Sequence, residues 1–341
     1  MTTPPPVRWG ILGPGRIARS FRDGAAGSAS GLIAAVASRQ PDTAELARSF
    51  PGARVVTGYD ALLADAEIDA IYVATPHPLH KNWVLAAIAH GKHVLCEKPM
   101  GMNLREVQTM FEAARTAGTF LGEAYMYRFH PLTTRILELV RSDAIGDLRM
   151  IQSSFGFAAS NTGSQDRLFS PALGGGAILD VGGYPASMAG LIAGSAGPGG
   201  SMAEPEELQA IGHIGVTGVD EWSCAILRFP GDILATLSCS ITLDQDNVLR
   251  IMGTKGRIEV DEFWFGSGRN GGTKALRLFR SDGSLETFSV ADERNLYSFQ
   301  FEAANQAIRS GASEFSSPGM SAYDSEITAK ILDKWLGAIG G

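Results

Sequence analysis

Along roughly the first 120 residues, short apolar runs alternate with runs of helical periodicity. Segments 7–12, 32–38, 55–56, 71–74 and 93–96 have the Val/Ile/Leu/Ala character of strands covered on both faces. Between them, 17–21, 43–50, 61–66 and 83–90 read as helices, and Gly91 stands at the left-handed cap position after the last. Asn103 with Glu106 three residues on resembles a capping box before a helix that stops at Gly118. This alternation predicts βαβ units and a parallel sheet with helices over both faces.

The pattern changes after about residue 124. Segments 148–157, 222–229, 233–241, 248–253, 257–263, 275–279 and 285–290 read as strands. Their connections carry turn chemistry, as in Pro230-Gly231-Asp232, Thr254-Lys255-Gly256 and Ser281-Asp282-Gly283-Ser284. Short strands joined by tight turns predict a mainly antiparallel sheet. Residues 298–310 and 322–336 read as closing helices, and 197–200 as a surface loop. The expected organisation is an α/β domain over 1–124 followed by an α+β domain over 125–341.

Composition narrows the function classes. A net charge of -7 excludes a broad basic surface for nucleic acid. No apolar run is long enough to span a bilayer, and the opening residues lack a basic-then-apolar leader. Cys96, Cys224 and Cys239 are an odd count without metal-like clustering, which suits free thiols in a reducing compartment. Cys224 and Cys239 are expected to fill the core between neighbouring strands. The six histidines show no His-Glu-x-x-His spacing, so no metal site is expected. A cytoplasmic protein without membrane or nucleic-acid partners is the expectation.

Gly13-Pro14-Gly15-Arg16-Ile17-Ala18 follows the first strand and opens a helix. That is the Gly-x-Gly-x-x-Ala pattern in strand-turn-helix context, as in a Rossmann dinucleotide fold. Gly13 makes the turn and Gly15 admits a pyrophosphate. Arg16 and Ile17 begin the helix whose amides and dipole face it. The second strand ends in Ser38-Arg39 where NAD enzymes place an acid. Arg39 can bind a 2′-phosphate and Ser38 can add a hydrogen bond, which favours NADP over NAD.

Two further loops fall at strand ends on the ligand side of such a sheet. In Thr75-Pro76-His77-Pro78-Leu79-His80, His80 either caps the next helix or faces the nicotinamide ribose. In Cys96-Glu97-Lys98-Pro99, a lysine beside a glutamate can donate to a substrate oxygen or join a proton relay, or be an ordinary surface lysine. The acids of Val219-Asp220-Glu221-Trp222 are read as solvated or turn-forming.

Together, Gly13-x-Gly15-x-x-Ala18, Val73-Ala74-Thr75-Pro76 with His80, and Glu97-Lys98-Pro99 resemble the glucose–fructose oxidoreductase/inositol dehydrogenase/rhizopine catabolism (Gfo/Idh/MocA) family. The resemblance continues through residues 123–131 and 174–185, and so covers essentially the whole chain. Most of that family carries a histidine four residues after the aspartate matched by Asp180. Tyr184 stands there instead, as in the branch containing dimeric trans-dihydrodiol dehydrogenase and NADP-dependent D-xylose dehydrogenases.

The resemblance implies Lys98 and Tyr184 as the proton-transfer pair, with Asp180 orienting the substrate or the lysine. Asp180 and Tyr184, at i and i+4, share a helix face. Thr75, His80, Glu97 and Lys98 would contribute to the cofactor site, and Tyr127 and Arg128 to the substrate pocket, together with the loop at 160–170. The implied reaction is hydride transfer between NADP and a sugar or cyclic vicinal diol. Alternatives are keto-sugar reduction, a redox sensor without turnover and an NAD-dependent glycosidase, against which Ser38-Arg39 counts. A homodimer through the C-terminal sheet is also implied, with 226–229 and 263–265 as candidate apolar strands for that face.

Overall fold

A computed structural model of the chain describes residues 5–40, 42–161, 163, 166–197 and 201–340, and every count below refers to those residues. The sequence readings at 1–4 and 198–200, and part of the 160–170 loop, lie outside them. Two compact units are present: Met1–Gly101 with Arg105–Phe129 and Arg294–Ala322, and Met102–Leu104 with His130–Glu293 and Tyr323–Gly341.

The first unit holds a six-stranded sheet of β1 (Val7–Leu12), β2 (Gly31–Ser38), β3 (Arg54–Thr57), β4 (Ala70–Val73), β5 (His93–Glu97) and β6 (Leu121–Ala124). All pairings are parallel, in the order β3-β2-β1-β4-β5-β6. The order reverses beside β1, the switch point at which doubly wound sheets bind dinucleotides. Helices α1 (Arg16–Ala25), α2 (Thr43–Ser49), α3 (Tyr59–Leu63), α4 (His80–Ala89) and α5 (Leu104–Ala117) alternate with the strands. Every residue of β4 is buried, as its uninterrupted apolar sequence requires.

In the second unit, α6 (Pro131–Arg141) precedes β7 (Leu148–Gly156), and α7 (Gly183–Ser195) precedes the hairpins. These comprise β8 (Glu207–Ile214), β9 (Asp220–Phe229), β10 (Ile233–Ser240), β11 (Leu249–Gly253), β12 (Gly256–Val260), β13 (Gly272–Arg280) and β14 (Leu285–Asp292). The eight-stranded order is β14-β13-β12-β11-β7-β10-β9-β8, with β7 and β10 parallel and the other pairs antiparallel. Along β9, Ala225, Leu227 and Phe229 face inward while Cys224 and Ile226 face out. Helix α7 packs against β7 and β10 and is buried along its whole length.

Two local expectations change. Cys224 is exposed, because the two-residue period of β9 puts it opposite Ala225; Cys239 is buried as expected. The aromatic run Phe263–Phe265 is a 3₁₀ turn with Phe263 and Trp264 buried, since Glu262 and Gly266 on either side have positive φ. Among the described residues, no helix is long and apolar enough to cross a membrane.

Helix α8 (Leu296–Ser310) lies in the first unit, and α9 (Ala322–Ala338) closes the chain. Helix α8 brings Phe301 against Trp9 and Phe21, and Phe21 stacks on Tyr72 at 3.8 Å. The Trp9 indole N–H donates to Asn305 Oδ1 at 2.7 Å, and Asn305 Nδ2 donates to Ser30 Oγ at 2.9 Å. Asn305 is wholly buried. Replacing it by alanine leaves a buried indole donor unpaired, so Asn305→Ala should cost about 1–3 kcal/mol in urea unfolding.

Candidate active site

The glycine loop leaves β1 at Gly13, whose φ of +92° lies in the left-handed region. A Cβ there would come within 2.9 Å of the Ala74 carbonyl, so the turn and the close approach of β4 both require glycine. At Gly15, by contrast, no atom lies within 4 Å of a Cβ position. Gly15 caps α1 without a side chain, and the first turn of the helix carries no acid. The helix N-terminus is thus free of competing carboxylates and sterically open, as an anionic ligand requires. Arg16 is exposed, Ile17 half-buried and Ala18 buried. At the end of β2, Ser38 is half-buried and Arg39 exposed; the Arg39 charge opposes the rise that burial causes in the Tyr59 hydroxyl pKa.

Past β4, Thr75 is buried and its Oγ1 has no hydrogen-bond partner. His80 is wholly buried at the start of α4. Its Nε2 lies 2.7 Å from the Thr75 carbonyl and its Nδ1 2.9 Å from the Pro99 carbonyl. His80 thereby ties the loop after β4 to the loop after β5. In that second loop, Glu97 Oε1 accepts from the Tyr72 hydroxyl, and Glu97 Oε2 accepts from the Lys98 backbone N–H at 3.2 Å. Burial, reinforced by Glu97, pushes the Tyr72 hydroxyl well above its usual value. Lys98 follows β5 directly and is half-buried. Tyr127 and Arg128 lie on the buried 3₁₀ turn Met126–Phe129, where Arg128 Nε donates to the Pro318 carbonyl at 2.7 Å.

The second unit brings Asp180 and Tyr184 onto one continuous helix. Residues Ile178–Gly182 form a π-helical turn that runs into α7. Asp180 sits within that turn and accepts from Arg167 Nη2 at 2.9 Å. Arg167 belongs to the 3₁₀ turn Arg167–Phe169, capped by Asp166. The Tyr184 ring is held edge-on by Phe155 of β7 at 4.9 Å and by Trp264 at 5.5 Å. Trp264 is itself fixed through its indole N–H, which donates to the Ser154 carbonyl at 2.7 Å. From sequence, Arg167 enters only as part of the 160–170 loop and Trp264 only as part of the 263–265 run, while Phe155 carries no signal beyond its strand; each reaches the helix from a separate segment.

Asp220 differs most from expectation. The carboxylate is buried instead of solvated, and its Oδ2 accepts from the Ile178 backbone N–H at 2.7 Å. Burial pushes its pKa up to about 7, against the opposing pull of backbone N–H donors from Ile178, Asp220 and Ala177.

Residues 7–125 match the family described as "Oxidoreductase family, NAD-binding Rossmann fold", and residues 133–259 match its C-terminal domain. The chain belongs to the Gfo/Idh/MocA oxidoreductase family. A relative from Mus musculus, trans-1,2-dihydrobenzene-1,2-diol dehydrogenase, is 33% identical across 98% of this chain and 97% of its own length. The Xenopus laevis enzyme of the same name is also 33% identical, over 98% of each chain. The crystal structure of KijD10, a 3-ketoreductase from Actinomadura kijaniata in complex with NADP and TDP-benzene, superposes with a TM-score of 0.85 at 27% identity over 98% of both chains. The Gfo/Idh/MocA assignment accounts for the doubly wound first sheet, the large mixed second sheet and oxidoreductase chemistry.

The Asp220 shift has a stability consequence of definite sign. A carboxyl whose folded pKa is raised from 3.8 to about 7 contributes fully below pH 3.8, and that contribution is lost as pH rises through 7. Relative to Asp220→Asn, the native protein should lose stability from about pH 4 to pH 7 and change little above it; urea unfolding across that range measures the slope.

Proposed function

We propose that this chain is an NADP-dependent oxidoreductase that transfers a hydride at the carbinol carbon of an aldose or cyclic vicinal diol. The observation that carries this reading is the helix bearing both an aromatic-clamped Tyr184 and an Arg167-paired Asp180, in a chain that also holds an open glycine loop. The features that suit NADP are the open side of Gly15, the acid-free first turn of α1, the unpartnered Thr75 Oγ1 and Arg39 in place of an acid.

In this reading the chain binds, orients and moves one proton. Tyr184 Oη takes the hydroxyl proton of the substrate, or returns it in the reverse direction. Lys98 Nζ holds the same oxygen. Asp180, steadied by Arg167, accepts from a neighbouring substrate hydroxyl and sets which carbon faces the cofactor. When bound, the nicotinamide supplies the hydride acceptor or donor. Support comes from KijD10, whose crystallised variants include a lysine-to-alanine and a tyrosine-to-phenylalanine replacement at nearly the sequence separation of Lys98 and Tyr184. Its name as a 3-ketoreductase favours keto-sugar reduction as the second reading.

The outward face of the second sheet is proposed as a homodimer interface. Ile211 and Ile226, exposed at 83% and 57%, share it with Trp222 and Leu234. Exposed apolar side chains gathered on one sheet face mark an association surface.

With NADP or NAD and a panel of aldoses, inositols and cyclic diols, turnover should follow the absorbance of the reduced cofactor. No turnover in either direction would overturn the enzyme assignment. Lys98→Met and Tyr184→Phe should each lower kcat by about a hundredfold or more. Arg39→Ala should weaken NADP more than NAD, and a native preference for NAD would count against its role. Ile226→Glu should convert a dimer to a monomer in sedimentation velocity.

A further inference from the structure

We propose that Asp220 is a positioning residue for proton transfer: its carboxylate caps the helix that carries Asp180 and Tyr184 and fixes the turn from which both project. This rests on the roles given above to those two residues.

Helical backbone runs without a break from Ala177, through the π turn Ile178–Gly182, to Ser195. The first amides of any helix lack intrahelical acceptors, and a side chain just before the helix ordinarily supplies one. Here the preceding residue is Gly176, which has none. Asp220, 42 positions beyond Ile178 at the start of β9, does the work instead through Oδ2 to the Ile178 N–H at 2.7 Å. The Ala177 N–H also pulls the pKa of this carboxyl down, and a carboxylate at a helix N-terminus is favoured by the dipole. The cap explains the sequence on the other side. Gly176 has φ of +112°, and a Cβ there would fall 2.1 Å from Asp220 Oδ1.

The helix needs such an anchor. Every residue of α7 is buried and much of its surface is glycine and alanine, so shallow, uniform ridges specify its rotation weakly. The π turn adds a second freedom. A π turn holds one residue more than the α-helical path, and reverting it would turn Asp180 about the helix axis relative to Tyr184. Asp220 grips the residue that begins the widened turn. It sets Asp180 against Tyr184 without touching substrate.

The test compares Asp220→Asn, which keeps the shape and one acceptor, with Asp220→Ala, which keeps neither. Hydrogen exchange is followed across 177–187. Kinetics use NADP with trans-1,2-dihydrobenzene-1,2-diol at about pH 8.5, above the titration of this carboxyl. In Asp220→Ala, exchange should accelerate roughly tenfold and kcat fall roughly tenfold, with KM for NADP within about twofold of native. Asp220→Asn should fall between, and suffices if the alanine variant does not fold. Leu227→Ala, a core truncation on the same strand, should lower Tm without this loss of kcat.

Unchanged exchange in both Asp220 variants overturns the cap. A Leu227→Ala loss of kcat equal to that of Asp220→Ala at matched Tm overturns the positioning role. Full turnover in Tyr184→Phe would instead remove the functional reading. Loss of turnover in Tyr184→Phe with native kcat in both Asp220 variants overturns this proposal alone.

Discussion

A helix buried along its whole length has no solvent face from which to take its orientation, and α7 is such a helix. Its polar side chains and its first amides must find partners inside the protein. The second unit supplies these from three directions: the Asp220 carboxylate at the N-terminus, Arg167 on Asp180, and the Phe155 and Trp264 rings about Tyr184. Each partner is fixed in turn. Trp264 is held by the Ser154 carbonyl, and Arg167 lies on a turn capped by Asp166. Asp180 and Tyr184, to which the proposed function assigns the proton chemistry, are thus held by packed elements of the scaffold, which is how precise positioning is obtained.

The first unit meets a different demand. A chain with net charge -7 needs a place where an anion is welcome. In the proposed function that place is made by backbone: an acid-free helix N-terminus, a glycine with open space beside it, and a turn too tight for any Cβ. Beneath the strand ends, His80 joins two loops through their carbonyls, and Glu97 is shared between Tyr72 and the Lys98 amide. The overall charge excludes only a broad basic surface. Local backbone geometry is independent of it.

Legibility in sequence follows the range of the interactions. The parallel sheet is readable because strands covered on both faces are continuous apolar runs, and the glycine loop because its spacing is local. Strand β8 escapes notice, since Glu207–Ile214 carries no fully buried residue and no clear apolar alternation. The Phe263–Phe265 run has strand propensity but sits between two positive-φ residues that no pattern of hydrophobicity encodes. Asp220 looks like one of two acids at a turn because the amides it serves are 42 positions away. Helix α8 is recognisable as a helix, yet its place against Trp9 depends on Asn305 finding an indole at the other end of the chain.

The one parallel pairing in the second sheet, between β7 and β10, carries a kinetic consequence. Strand β7 is central, and both neighbours, β10 and β11, come after α7 and the β8–β9 hairpin in the chain. An N-terminal fragment ending before β10 therefore leaves β7 with two bare hydrogen-bonding edges. Helix α7 emerges before β10, one of the two strands it packs against, and non-local pairing of this kind is slow. During synthesis the helix bearing Tyr184 is an apolar segment awaiting part of its cover, so truncations or pauses upstream of residue 233 favour aggregation over a partly folded unit.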